Sequence, residues 1–296
     1  VIWFHRAAET ATGVGPEAGR VEAVELVALG PVEMALEVLP GLLGVREPSG
    51  VQLAALRGLA GLPDGRVGPL LVERWRSLGP AVRREAAEAL LSRRERIAAL
   101  LDGLESGAVP AADLDPSRRS QLLAHADPAV RERAARLLGG AARPARAAVV
   151  EAYRPATTRA GDVASGRVVY ERACATCHRA EGKGVAVGPD LATVAGRTPD
   201  DLLVHILDPN REVQPAYVQY GLATRDGQVL TGLIADESAG SVTLKRAEGV
   251  TDVVPRVRID ELESSGQSLM PEGLEEQVTV DQMADLIAFL RGLEGT

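Results

Sequence analysis

The only two cysteines of the chain are Cys174 and Cys177, and His178 follows the second directly in the run Cys174-Ala175-Thr176-Cys177-His178. Thiols at i and i+3 of a helical turn project from the same side. Both can therefore form thioethers with the two vinyl groups on neighbouring edges of one flat porphyrin, and the adjacent imidazole then stands over the ring face to ligate iron. C-x-x-C-H is the attachment pattern of a c-type haem. A redox dithiol would want its C-x-x-C between a strand and a helix, a context missing here. A structural zinc would want four ligands, and no second cysteine pair exists. The expected cofactor is one covalent haem c.

Such a haem needs a group on its other face, and Met270, Met283, His205 and water are the candidates. Met270 lies in Ser268-Leu269-Met270-Pro271, outside any periodic segment, where a loop-burying side chain is the alternative role. Met283 falls on the core face of a helix. His205 lies on a short helix, where surface or packing positions are common and bis-histidine ligation is the alternative.

The elements around these residues are legible. Asp162 can cap a helix through Arg172, with Val163, Gly166, Val169 and Tyr170 on one face, and the cysteine motif closes it. Residues 179–197 are glycine-rich and aperiodic, a loop for wrapping the ring edge. Thr198-Pro199-Asp200-Asp201 opens a helix that runs to about Leu207 and stops at Asp208-Pro209-Asn210. From Tyr217 to Val254 the pattern alternates: Tyr217–Arg225, Asp226-Gly227 and Gln228–Ile234 predict a hairpin on a primed turn, and Ser241–Lys245 and Val250–Val254 add two strands. Thr279-Val-Asp-Gln282 is a capping box for a last helix with Met283, Leu286, Ile287 and Leu290 inward.

The first half is different. Val51/Val82/Val130, Ala55/Ala86/Ala134 and Leu59/Leu90/Leu138 recur at matching places, with offsets that mark one buried helical face. Val21 starts a weaker copy, and the starts at Val21, Val51 and Val82 are spaced by about 30 residues, a solenoid-type period. The gap to Val130 is longer and leaves room for an extra helix and loop. Glu47-Pro48-Ser49-Gly50, Leu78-Gly79-Pro80 and Ala126-Asp127-Pro128 punctuate the copies. An ordinary helical bundle is the alternative to a solenoid. His5 and His125 are isolated. The expected organisation is a helical-repeat region over residues 1–142, a linker over 143–160 with one short helix from Ala147 to Tyr153, and a haem domain over 161–296 carrying a small antiparallel β insertion at about 213–263.

Residues 1–160 hold 21 Lys and Arg against 19 Asp and Glu, and residues 161–296 hold 12 against 22, which together give the net charge of −8. The acidic half contains the cysteine motif, so a basic redox partner is expected. Nucleic acid is not expected as a partner, because phosphate binding needs a basic surface. No run of about 18 apolar residues is present, so no transmembrane segment is expected in this chain. The chain opens Val1-Ile2-Trp3-Phe4 without a methionine, which reads as a fragment or a processed product.

In order, Cys174-Ala-Thr-Cys-His178, Gly188-Pro189-Asp190-Leu191, Ile206-Leu-Asp-Pro-Asn210, Asp226-Gly227 with Thr231-Gly232-Leu233, and Ser268-Leu-Met-Pro-Glu-Gly-Leu274 resemble class I c-type cytochromes. More closely, they resemble the haem-binding domain of the Pirellula/Verrucomicrobium type, with the resemblance covering about residues 150–296. Asp127-Pro-Ala-Val-Arg resembles a HEAT repeat. These resemblances imply a mainly α protein: a HEAT-like α-solenoid followed by a cytochrome c domain whose strands are an insertion. They imply that Cys174 and Cys177 form the thioethers, that His178 is the proximal and Met270 the distal iron ligand, and that Pro189 offers its carbonyl to the His178 Nδ1–H. They also imply that Gly166 allows the first haem-domain helix to cross the last near Phe289. Members of that family often follow a sugar-dehydrogenase-like propeller and helical repeats.

The expected function is one-electron transfer through the haem in the periplasm or another exported setting, serving a linked or partner dehydrogenase. No nucleophile–base pair or carboxylate dyad argues for independent enzymology. Two alternatives stand beside it: an open-site haem enzyme or small-ligand sensor, and a helical-repeat scaffold with an accessory haem.

Overall fold

The computed structural model describes residues 2–138 and 144–293. Its helices are α1 (Ile2–Thr12), α2 (Glu17–Ala28), α3 (Val32–Val38), α4 (Ser49–Gly61), α5 (Val67–Arg74), α6 (Pro80–Leu91), α7 (Arg94–Ser106), α8 (Pro116–Leu123), α9 (Pro128–Leu138), α10 (Pro144–Tyr153), α11 (Val163–Ala173), α12 (Pro199–Leu207) and α13 (Val280–Arg291). The strands are β1 (Arg179–Ala180), β2 (Lys183–Gly184), β3 (Val218–Thr224), β4 (Val229–Glu237), β5 (Ser241–Lys245), β6 (Thr251–Pro255) and β7 (Ile259–Ser268). The protein is mainly α with a smaller amount of antiparallel sheet.

Contacts divide the chain into two compact units that do not follow the order of the sequence. The first is Val1–Gly139, Gln214–Leu244 and Asp252–Gly266; the second is Gly140–Val213, Lys245–Thr251 and Gln267–Thr296. Most of the strand segment, which sequence order counts with the haem domain, therefore groups with the helices of the first half. The reason is visible in its polar ties: Arg46 donates to the Ile259 carbonyl at 3.1 Å, and Arg256 donates to the Val45 carbonyl at 2.7 Å.

In the first unit, α2 packs on α4 and α4 on α6, while α5 packs on α7 and α7 on α9. Ala and Leu at the repeated positions are buried: Ala55, Leu59, Ala86, Leu90, Ala134 and Leu138. Small Ala positions let the helix axes approach. Polar ties run between neighbours, from the Gly50 N–H to Glu17, Arg57 to Glu85, Arg118 to Glu88 and Arg66 to Glu33, joining residues 28 to 33 apart in sequence. This spacing matches the period read from the valines. Exposed pairs of this kind add little stability, so the buried apolar faces carry the stacking. The third copy departs from expectation: α9 stands beside α7 and α8, and α8 supplies the ion-pair partner of α6. Two helices, α7 and α8, fill the long gap before Val130.

The five-stranded sheet has the order β6-β5-β4-β3-β7. β3 and β4 are antiparallel with Tyr220 opposite Gly232 and Ala223 opposite Val229. Their turn is not the expected two-residue primed type. The Thr224 N–H bonds the Gln228 carbonyl at 2.9 Å, leaving a three-residue loop in which Gly227 alone has a positive φ, of 85°. A primed type I turn would need positive φ at two adjacent residues, and Asp226 stays in the ordinary region. β7 is absent from the sequence reading because its alternation is weak: only Ile259, Leu262 and Ser264 of Ile259–Ser268 are buried. Its place is fixed by β3, with the Ser265 hydroxyl donating to the Gln219 carbonyl at 2.9 Å.

The second unit gathers α10 to α13 around one apolar cluster that includes Val150, Val169, Tyr170, Leu203, Met283, Leu286 and Phe289. The segment expected as a linker contributes directly to it. α10 buries Val150 and packs on α12, so this segment is a working helix of the unit. Arg143, where the linker was expected to begin, lies outside the described residues. α11 and α13 cross tightly at Gly166, where a Cβ would collide with the Asp285 carbonyl and sit 2.8 Å from the Phe289 Cβ. The expected caps form. Asp162 accepts from Ser165 N at 2.7 Å, Thr198 from Asp201 N at 3.2 Å, and Thr279 and Gln282 exchange both bonds of the capping box.

Candidate functional site

α11 ends at Ala173, and the chain makes one more helical turn before leaving the axis. Cys177 N–H and His178 N–H both bond the Cys174 carbonyl, at 3.0 and 2.9 Å. This turn holds the two thiols and the imidazole on one short stretch of backbone. Cys174 and Cys177 are free and half-buried. Burial, and then the neighbouring Cys177, push the Cys174 thiol up to about 12. A nucleophilic C-x-x-C lowers its thiol to gain reactivity, and this one moves the opposite way. Among the described residues no group of three or more His, Cys, Asp or Glu is arranged to hold a metal ion.

The histidine is held from behind. His178 Nδ1 lies 2.9 Å from the Pro189 carbonyl. A carbonyl can only accept, so this contact places the proton on Nδ1 and leaves the Nε2 lone pair for a metal. Nε2 has no hydrogen-bond partner among the described residues. Burial lowers the His178 pKa, while the Pro189 bond opposes that shift, and the neutral imidazole is the ligating form. Gly188 makes the approach possible: a Cβ there would stand 2.5 Å from Cε1 and 2.9 Å from Nδ1 of the His178 ring. The residues therefore fit a porphyrin iron. Two thiols three residues apart on one turn, an oriented imidazole with a spare nitrogen and a glycine behind the ring are what such a group needs.

The expected edge loop is partly structured. β1 and β2 form a two-residue antiparallel ribbon closed by Glu181 and Gly182, whose φ values are 50° and 75°. The Tyr170 hydroxyl lies 2.9 Å from the His178 carbonyl and 3.0 Å from that of Lys183, tying the ribbon and the attachment turn to α11. The Tyr170 ring stacks at a tilt on Phe289, with centroids 5.4 Å apart. Residues 245–251, the tip joining β5 and β6, also belong to this unit, and Glu248 N–H donates to the Thr176 carbonyl at 3.2 Å. Sequence reasoning missed that contact, since nothing in Lys245–Thr251 signals a role beside the cysteines.

The other expected residues fall as follows. Met270 is half-buried in the loop after β7, and its N–H donates to the Ser268 hydroxyl at 3.1 Å. Met283 is fully buried on α13 among Leu286, Ile287 and Leu290, a packing role. His205 is half-buried in the last turn of α12, where burial lowers its pKa first and Arg197 adds to that.

Residues 163–238 match the family model described as cytochrome c. The match begins with α11, contains the attachment turn and ends before Met270. No curated protein matches the chain. This stretch is a c-type cytochrome domain, and the cofactor of such a domain is a covalently bound haem c.

Proposed function

We propose that the second unit is a one-electron carrier with His178 and Met270 on the two faces of its iron. The observation that carries this reading is the His178–Pro189 contact of 2.9 Å, made by the imidazole that directly follows the second of the two thiols. When bound, the haem supplies a one-electron couple at iron. The chain's own residues do the rest. Cys174 and Cys177 tether the ring, so it cannot leave in either redox state. Pro189 and Gly188 fix the imidazole plane and raise its basicity. Met270 offers a soft thioether, which favours the reduced iron and raises the potential relative to bis-histidine ligation. Tyr170, Phe289 and the small apolar residues of α11 and α13 exclude water from the interior.

The helices of the first unit are HEAT-like repeats in this reading, because the 28-to-33-residue ties recur along them. Their role is to dock the carrier to a dehydrogenase, linked or separate. The acidic balance of residues 161–296 favours a basic docking face on the partner. Covalent attachment argues for an exported setting, and no described helix is long and apolar enough to cross a membrane.

The test is an optical spectrum of the oxidised and reduced protein after haem-loaded expression in a periplasm. Low-spin ferric iron with a weak sulfur-to-iron band near ~700 nm, following the His/Met pairing, supports the reading. High-spin iron that binds CO and cyanide readily overturns it in favour of an open site.

A further inference from the structure

The loop that carries Met270 has no regular structure of its own, yet it is anchored. Asn210, the residue that ends the Asp208-Pro209-Asn210 stop after α12, spans it. The Asn210 side-chain carbonyl accepts from the Ser268 N–H at 2.8 Å, and its amide donates to Glu272 Oε1 at 2.6 Å. Ser268 and Glu272 lie two residues before and two after Met270. Ser268 passes the restraint on, since its hydroxyl accepts the Met270 N–H at 3.1 Å. A second brace stands behind the first. Arg146 of α10 pairs with Glu275 at 2.5 Å and donates to the Leu207 carbonyl at 3.0 Å, joining the end of α12 to the segment after the methionine. The Tyr153 hydroxyl lies 2.7 Å from the Val278 carbonyl and 3.0 Å from that of Glu275.

We propose that Asn210 is a positioning residue for the distal ligand: by bridging Ser268 and Glu272 it holds the Met270 loop closed, and so sets how often the iron is open to outside ligands. The proposal rests on the reading of Met270 as the distal ligand. Its physics is a two-state loop. An exogenous ligand reaches the iron only when the methionine is away, so its apparent affinity scales with the open fraction. Loss of the amide donor to Glu272 removes one charge-assisted hydrogen bond, enough to raise that fraction about tenfold.

The chemistry of the bridge allows a swap. Asn210→Asp keeps an acceptor for Ser268 N–H but sets a second carboxylate against Glu272. Glu272→Gln added to it supplies an amide donor to the new carboxylate and restores the bridge with the roles reversed. The experiment uses the full haem-loaded chain and titrates the ferric form with imidazole, alongside the far-red band and the covalent haem content. Asn210→Asp is expected to weaken the band and raise imidazole affinity about tenfold at unchanged haem content, and Asn210→Asp with Glu272→Gln is expected to return within about threefold of the parent. An imidazole affinity for Asn210→Asp within about twofold of the parent overturns the proposal, as does a double variant no better than the single. Met270→Ala separates the two layers of inference: a band that survives it overturns the ligand reading itself, whereas a band lost with it and kept in Asn210→Asp overturns the bridge alone. Should Asn210→Asp yield no haem-loaded protein, Glu272→Gln decides: it turns the charge-assisted bond from the Asn210 amide into a neutral one, an imidazole affinity raised about threefold supports the proposal, and an unchanged one overturns it.

Discussion

The two units satisfy their interiors in opposite ways. The first closes on itself. Trp75 is fully buried, and its indole donates to Asp113 at 2.8 Å. Asp113 also pairs with the buried Arg83 at 3.0 Å, and Arg83 Nη2 donates to the Trp75, Arg76 and Leu78 carbonyls, while its Nε has no partner among the described residues. Burial pushes the Asp113 pKa up, against the pull of Arg83, Trp75 and Ser264. The polar network of the second unit, Arg146 with Glu275 and Asn210 with Ser268 and Glu272, is partly buried and gathers around the Met270 loop rather than behind the cysteines. The unit's rings in mutual contact are Tyr170 and Phe289, Cys174 and Ala175 lie half-buried against its core, and Nε2 of His178 has no bonded partner among the described residues. The Trp75–Asp113–Arg83 centre is paired within its own unit, whereas the thiols and the spare nitrogen of the second unit are completed by its cofactor. A group that binds only the folded state adds its binding free energy to folding.

The sharpest way to break this contrast is to deny the second unit its haem. Cys174→Ala with Cys177→Ala is expected to abolish covalent haem and to lower the thermal stability of the second unit, with the helical signal of the first retained. Haem that resists acid-acetone extraction from this variant would refute the attachment. Next comes Met270→Ala, which should remove the far-red band, lower the potential and admit cyanide. Met283→Ala should instead cost about 2–5 kcal/mol of stability and keep the band, as for a buried methionine, and His205→Ala should change neither. A band that depends on Met283 or His205 would move the distal ligand there.

In the first unit, Asp113→Ala strands the buried Arg83 guanidinium. A loss of about 3–5 kcal/mol is expected for a broken buried pair, measured by urea unfolding, with the haem spectrum unchanged. A smaller effect concerns acid. The Arg146 guanidinium holds the Glu275 carboxyl below its ordinary value of 4.5. Its contribution is therefore fully present above 4.5 and is lost as pH falls through the lower, folded value. Glu275→Gln should remove that part of the acid sensitivity, seen as a flatter stability profile below pH 4.5. The smallest expected effect is a fall in the rate of electron exchange with a basic partner as salt rises; a rate that climbs with salt would reverse the assigned sign of the docking face.

Local signals were readable and long-range ones were not. The caps at Asp162, Thr198 and Thr279 formed because each depends on atoms within three residues. The repeat period was readable from Val21, Val51 and Val82, yet the similarity of α9 to α4 and α6 could not reveal that it stands beside α7. The strands β3 to β6 were visible in alternation, but their grouping with the helices depends on Arg46 and Arg256, charged residues that look like surface in a sequence. At the site, Cys174, Cys177, His178, Pro189 and Met270 were chosen from their motifs. The Asn210 bridge and the Glu248 contact join residues far apart in sequence, with 58 and 62 positions spanned by the former, and no spacing rule reports such pairs.

The two sides of the haem site also differ in when they can form. On the proximal side, His178 finds Pro189 across 11 residues and Tyr170 finds the His178 carbonyl across 8. On the side proposed for Met270, Asn210 waits for partners 58 and 62 residues later, and Arg146 for one 129 residues later. Contacts of long sequence separation close late, because the chain between them must first be ordered. As the polypeptide emerges, the thiols and the histidine can therefore reach their native turn while the methionine, the closing helix α13 and the whole strand segment are still to come. The order of the chain thus completes the turn of the thiols and the histidine before the segment that carries the proposed distal ligand, so on that reading one face of the ring site is the last part to close.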